Sequence, residues 1–339
     1  MNMTGTPGSI ADTPGAGADA AADVLSEVLR RVRLTGSLFF EGRFSEPWGL
    51  FTPRHFSHDS ALGGLRHYTV CHLVVSGGCT LTLANATQHV VAAGDILVLP
   101  FPDEHRLSSG APAEYRGLAD LTPAGATGRI SGVRHGGGGA ETRIICGYVE
   151  SSELISAPLF RTLPALMVER TGDDRRTTLL AQTLRDIVQQ FDSEAPGSQL
   201  LLDRLMEVLF MEILRRHIAR VPERAQGWFA ALKDPLLARA LERVHADPAR
   251  QWTVAELARE AGSSRSVLAS RFNAVIGRPP MDYVTAWRIQ VACDRLRLRG
   301  DSIAQIAAQV GYESEAAFSR AFKRLTGASP ARWREQTER

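Results

Sequence analysis

Two sets of side chains in this sequence have types and spacings that could do chemistry. The first lies in VGYESEAAFSRAFKRLTG, residues Val310 to Gly327. Phe318, Ala321, Phe322 and Leu325 recur there at three- and four-residue steps, which gathers them on one side of an α-helix and predicts that side to be buried. The other side carries Glu315, Ala316, Ser319, Arg320 and Lys323, with Arg324 at its edge. Cations so placed either remain solvated or meet an anion, and an arginine can offer two parallel N–H donors to one partner. The second set is His72, His105 and Cys79. If the two imidazoles converge inside a domain, they could hold zinc, copper or iron with Cys79 as a third ligand, or line a pocket for a small molecule. The plainer alternative is a buried histidine hydrogen-bonded to backbone.

The elements that must position the first set are legible in the C-terminal third. Ser314 can cap the helix and Gly327 sits where a left-handed stop is usual. The stretch belongs to an internal repeat, since TVAELAREAGSSRSVLASRFNAVIGRPP from Thr253 and SIAQIAAQVGYESEAAFSRAFKRLTGASP from Ser302 follow one template. Each copy opens on a capping box, Thr253 with Glu256 and Ser302 with Gln305. Each then sets Leu257 or Ile306, Ala258 or Ala307, and Gly262 or Gly311 at matching offsets, followed by a second helix with Phe272 or Phe322 and a closing Gly277 or Gly327. A short helix, a glycine turn and a second helix form the helix-turn-helix pattern, here over 253–276 and 302–326. MDYVTAWRIQVACDRLRLRG between the copies predicts one partly buried helix that fixes their spacing. From Leu232 to Arg339 there are 18 lysines and arginines against 12 acids, a charge of +6 beside −4 in the rest of the chain, as befits a segment that meets phosphate.

The N-terminal half reads differently. YTVCHLVVSGG, CTLTLANATQHVV and GDILVLPFPDEHRL are short strands punctuated by glycine, and they predict a small barrel. If Val70 points inward, so does His72, two residues on. Residues 171–231 carry two helices; the second, Gln199 to Arg220, is apolar over more than half its circumference and so needs two partners, one of which could be the same helix of a second copy. Residues 1–23 read as a disordered tail with no secretory signal, and no run approaches a membrane span. Four scattered cysteines, Cys71, Cys79, Cys146 and Cys293, form no Cys-x-x-Cys; a reducing cytoplasm fits, and a redox role would need an accessible thiol of lowered pKa.

From about Leu236 to Arg334 the chain resembles the AraC/XylS family of bacterial transcriptional regulators, most specifically in GYESEAAFSRAFKRLTGASPARWR and in the repeat itself. The resemblance implies that the helices from Ser264 to Ile276 and from Ser314 to Thr326 enter successive major-groove segments of double-stranded promoter DNA. On it, Ser266, Ala269 and Ser270 are the exposed positions of the first unit that match Glu315, Ala316, Ser319 and Arg320 of the second, and Ser264 and Ser314 count among the DNA-binding residues. Arg320 is cast as a reader of guanine O6 and N7, and Arg265, Arg271, Lys323, Arg324 and Arg332 as phosphate contacts.

GDILVLPFPDEH resembles the second cupin motif, with Gly94, Pro100 and His105 at its spacing, and CHLVVSGG the end of the first. Val70 stands where metal-binding cupins carry glutamate, and the usual upstream His-x-His is reduced to His67. Together with RIICGYVE around Cys146, these segments resemble the AraC-type regulators whose N-terminal cupin senses a signal. The expected architecture is therefore α+β and multidomain: a cupin-like barrel over 24–170, a helical linker and dimerisation segment over 171–231, and an all-α double helix-turn-helix domain over 232–339. The expected function is transcriptional regulation in response to a small-molecule or redox effector, as a cytoplasmic homodimer that meets RNA polymerase at a promoter. A divalent metal or copper in the cupin pocket is left open. The rival reading is a cupin-type metal-dependent oxygenase tethered to a DNA-binding domain.

Overall fold

The computed structural model describes residues 24–30, 34–54, 68–101, 103–121, 131–150, 162–171, 178–193, 195–222, 224–298 and 300–337. His67 and the tail 1–23 lie outside them. The chain divides into two compact units, one within residues 29–229 and the other within residues 230–339, with which residues 24–28 group.

The first unit is built on eleven described strands. β3 (Tyr68–Ser76), β6 (Asp95–Leu99), β10 (Glu141–Glu150), β1 (Thr35–Ser45), β9 (Ser131–Gly136) and β11 (Met167–Arg170) form one sheet in the order β11-β6-β3-β10-β1-β9. β2 (Trp48–Thr52), β4 (Gly78–Leu83), β5 (Gln88–Ala92), β7 (His105–Ser109) and β8 (Arg116–Gly117) form the other, ordered β5-β4-β7-β2-β8. Phe40, Phe44, Val74, Leu97, Ile144 and Cys146 from the first sheet share a single core with Trp48, Leu50, Cys79, Leu81, Val91 and Leu107 from the second. The expected barrel is thus an open sandwich: the sheets meet through side chains, and among the described residues no ladder joins one to the other.

A bulge in β1 serves this packing. The register against β10 slips between Leu38 and Phe40, so Leu38 meets Gly147 on the outer face while Phe40 turns into the core. The helix α4 (Ser198–Arg220) covers that outer face and α3 (Leu179–Ser193) packs against α4; a four-residue turn at Leu118–Leu121 is α2, and residues 24–30 form α1. A Cβ added to Gly36 would lie 2.7 Å from Met206 Cβ and 2.8 Å from the Asp203 carbonyl, so glycine is what lets α4 sit on β1. Leu202, Met206, Leu209, Phe210, Ile213 and Leu214 are buried along α4, which accounts for most of its apolar circumference.

The second unit is helical: α5 (Trp228–Lys233), α6 (Pro235–Ala246), α7 (Val254–Glu260), α8 (Arg265–Ile276), α9 (Pro280–Arg297), α10 (Ile303–Gln309), α11 (Glu315–Thr326) and α12 (Pro330–Thr337). The long α9 buries Trp287, Ile289, Val291, Ala292 and Leu296, as its pattern predicts, and Val284 as well; Tyr283 and Leu298 belong to the same apolar pattern, but Tyr283 is half-buried and the helix ends before Leu298, which is exposed.

Candidate nucleic-acid interface and sensor pocket

The second unit contains the helix pairs α7–α8 and α10–α11. Both capping boxes are made in full. Thr253 Oγ1 accepts from the Glu256 amide at 3.1 Å while Glu256 accepts from the Thr253 amide at 3.0 Å; Ser302 Oγ accepts from the Gln305 amide at 3.2 Å while the Gln305 side chain accepts from the Ser302 amide at 2.7 Å. The Thr253 hydroxyl, which donates to Glu256 Oε2 at 2.9 Å, and the Thr253 amide together hold the Glu256 carboxyl below its ordinary range. Ser264 and Ser314 cap the following helices by accepting from Val267 and Ala317, and Gly277 and Gly327 close them at φ 79° and 78°, where a side chain would be strained. α8 and α11 have 12 residues each and match at an offset of fifty.

Each second helix buries one side and exposes the other. Phe318 and Phe322 are fully buried and Ala321 half-buried, whereas Leu325, grouped with them on periodicity, is 39% exposed because α11 ends one residue later. Ser264, Arg265, Ser266, Ser270 and Arg271 are exposed around α8, with Ala269 half-buried; Ser314, Glu315, Ala316, Arg320, Lys323 and Arg324 are exposed around α11, with Ser319 half-buried.

The cations on the two helices differ in how they are engaged. Arg271 Nε reaches Asp234 Oδ2 at 2.5 Å, and Asp234 also caps α6, so one edge of this guanidinium is engaged inside the domain. Arg320, Lys323 and Arg324 make no ion pair or side-chain hydrogen bond among the described residues. They stand at i, i+3 and i+4, where like charges on a helix repel. Such a cluster is unfavourable in isolation and favourable beside a polyanion.

Periodicity carries no sign of a direct lock between the pairs. Gln251 Nε2 donates to the Gly311 carbonyl at 2.8 Å, and Arg288 of α9 donates to the carbonyls of Pro248 at 2.8 Å and Arg250 at 2.7 Å. Gly311 has φ +86°, and a Cβ there would lie 2.5 Å from the Ala249 carbonyl. The spacing of the two units is therefore set by these contacts as well as by the length of α9.

In the sandwich, His72 of β3 and His105 of β7 do converge, one from each sheet, with Nε2 atoms 2.8 Å apart. The other partner of His72 is Cys146, whose Sγ lies 3.0 Å from Nδ1; Cys79 shares the core with it but contacts neither imidazole through a hydrogen bond. Cys146 sits opposite His72 across the β10–β3 ladder, a placement that strand pairing alone decides. The protons can be assigned by elimination. His105 Nδ1 faces the Asp103 carbonyl at 2.9 Å, which only accepts, so Nδ1 carries the proton and Nε2 is an acceptor. His72 then donates through Nε2, its Nδ1 accepts, and the Cys146 thiol donates to it. Burial, together with repulsion from His105, holds His72 well below the usual imidazole range, and burial lowers His105 too despite its bond to Asp103. Burial also raises the thiols, Cys71 and Cys79 to about 12 and Cys146 further. The chain from thiol to carbonyl is neutral and closed on itself.

The cupin resemblance implies a metal, and the donors can be tested for one. Two nitrogens on a tetrahedral zinc stand roughly 3.3 Å apart and both need free lone pairs, whereas His72 and His105 share a proton at 2.8 Å. Among the described residues no group of three or more His, Cys, Asp or Glu side chains is placed to hold a metal ion. Val70, buried beside Tyr68 and Leu99, brings no carboxylate. These residues do not make a metal set. A small open pocket of about 110 Å³ borders His105, with Leu83, Ala84, Glu104 and Arg106 in its wall.

Residues 23–219 match the cupin family model and residues 257–336 the helix-turn-helix domain model. A putative AraC-like transcription regulator of Streptomyces lividans is 32% identical over 94% of this chain and 98% of its own length. The HTH-type transcriptional regulator AlkR of Acinetobacter baylyi is 28% identical over 93% of this chain and all of its own. Among solved structures, ToxT of Vibrio cholerae aligns over 90% of this chain and 98% of its own at 16% identity, with a TM-score of 0.35. A two-sheet cupin unit followed by a double helix-turn-helix unit defines a DNA-binding transcriptional regulator. The chain belongs to the AraC-like family of these regulators. No helix among the described residues is long and apolar enough to cross a membrane.

Proposed function

We propose that α8 and α11 read neighbouring major-groove segments of promoter DNA and that an effector received near His72 and His105 controls that reading. The observation that carries the first half is the unpaired cluster Arg320, Lys323 and Arg324 on the outer face of α11. On this reading Arg320 contacts guanine, Glu315, Ala316 and Ser319 flank it, Ser264, Ser266, Ala269, Ser270 and Ser314 offer methyl or single hydroxyl contacts, and Arg265, Lys323, Arg324 and Arg332 hold phosphates. Arg271 spends its Nε on Asp234, which leaves its Nη donors for a phosphate. Gel shifts of the whole protein on fragments of its promoter at about 50 and 200 mM salt test this, because phosphate contacts release counterions and affinity must fall steeply. Lack of binding at the lower salt refutes it.

For the second half we favour a small molecule over an oxidant, since the buried thiols of raised pKa hold little thiolate. A regulator is favoured over a tethered oxygenase because the two-histidine, one-carboxylate set that such iron chemistry uses lacks its carboxylate at Val70. The sensor spans about 24–170, the linker 171–231 and the reader 232–339. We assign α4 a role in homodimer formation, as Leu200 and Leu201 near its start are exposed. The protein would work in the cytoplasm, with RNA polymerase at the promoter. A double substitution, His72→Ala with His105→Ala, should leave DNA binding intact and remove induction in a reporter strain; normal induction in a folded double variant rules this pocket out.

A further inference from the structure

We infer that Glu315 selects cytosine at one position of the operator. This rests on the reading of α11 proposed above and goes beyond it by naming the base and the residue that rejects the others. Glu315 is the first residue of α11 and the only acidic residue in either reading helix. The matching first residue of α8 is Arg265, so the repeat has reversed its charge at the position from which a reading helix enters the groove. Glu315 is exposed and makes no ion pair or side-chain hydrogen bond among the described residues. Its helix gives it no partner either: positions three and four residues on are Phe318, which is buried, and Ser319, and the nearest cation in sequence, Arg320, is one step too far round.

A carboxylate facing DNA is repelled by the phosphates unless a donor meets it. In the major groove the amino group of cytosine is such a donor with no acceptor of its own base beside it, whereas adenine sets N7 next to its amino group, and guanine and thymine show acceptors. Glu315 therefore favours cytosine by attraction and disfavours guanine and thymine by repulsion.

The alternative is that Glu315 only complements the helix dipole at the start of α11, as acidic residues in a first turn do. Selection of bound duplexes from a random pool, with the full-length protein and with Glu315→Gln and Glu315→Ala, separates the two. Glu315→Gln keeps size and shape, and thermal melts confirm that each variant folds. We expect one operator position at which the wild type takes cytosine over other bases by about tenfold, the order of one good base contact. That preference should relax in both variants while every other position is kept, and binding to random duplex should strengthen as the negative charge is removed. An operator logo identical in all three proteins overturns the inference and leaves the reading of α11 standing. A relaxed position that had been adenine overturns the choice of base. If the wild type enriches no sequence at all, the proposed reading fails and takes this inference with it.

Discussion

Acid should loosen the sandwich through His72 and His105. Each imidazole is neutral in the fold because it is buried and because its neighbours require it: His105 Nε2 must accept from His72, and His72 Nδ1 must accept from Cys146. In the unfolded chain each titrates near 6.5. A folded pKa below the unfolded one means stability that is fully present above the unfolded value and is lost as pH falls, so the window opens at about pH 6.5 and extends downward. For an imidazole that stays neutral when folded, the loss at one pH unit below 6.5 is on the order of 1 kcal/mol. Going from about pH 7.5 to 5.5 should thus remove on the order of 1 kcal/mol through His72 and up to as much again through His105, against a total stability of roughly 5–15 kcal/mol for a typical domain. The assay is thermal unfolding of the intact protein across that range, beside a His72→Leu, His105→Leu variant that has no cross-sheet bond to lose. Half-buried His217, lowered by burial and by Arg220, is common to both proteins and cancels. The wild type should lose several degrees more of Tm than the variant, at about 2–4 °C per kcal/mol. Equal losses would refute the assignment of two neutral, mutually bonded imidazoles.

Four further outcomes are expected. Arg320→Ala should cost on the order of 1–3 kcal/mol on the operator and little on random duplex, whereas Arg265→Ala should weaken both alike, as competition gel shifts can measure. Phe318→Ala removes a fully buried ring from the core of the second unit and should destabilise that unit by about 3–5 kcal/mol, read as an earlier transition in calorimetry. Gly311→Ala, in a left-handed turn pressed against Ala249, should loosen the lock between the two helix pairs and weaken binding to the full operator more than to either half alone. Glu169 is buried on β11 and ion-paired with Arg220 and Arg216 of α4, and its neighbour Val168 pairs with Leu97, which pairs with His72; Glu169→Gln should shrink the difference in DNA affinity with and without inducing extract while leaving the uninduced affinity near its wild-type value.

Features written within a few residues are legible in the sequence itself. Thr253 with Glu256 and Ser302 with Gln305 are three residues apart, and both boxes form as their spacing predicts. The repeat, the helix bounds and the buried sides of Phe272, Phe318 and Phe322 follow from local spacing in the same way. The strands β3 to β7 show themselves by alternation and glycine, and His72 does point inward with Val70. Leu325 is exposed against expectation because periodicity does not say where a packing partner stops.

What the sequence could not supply involves residues far apart along it. β1, β2 and β9 carry no strong period of their own and become strands by pairing. Cys146 meets His72 across 74 residues, Arg271 meets Asp234 across 37, and Gln251 reaches Gly311 across 60. Periodicity and capping are properties of one helix or strand and its immediate neighbours, so the chain alone determined a double helix-turn-helix reader, a strand-rich unit before it and the charged face of α11. Which thiol completes the histidine pair, which arginine is already engaged and how the two readers are held in register depend on ladders and packing that bring distant segments together, and those only the tertiary structure decided.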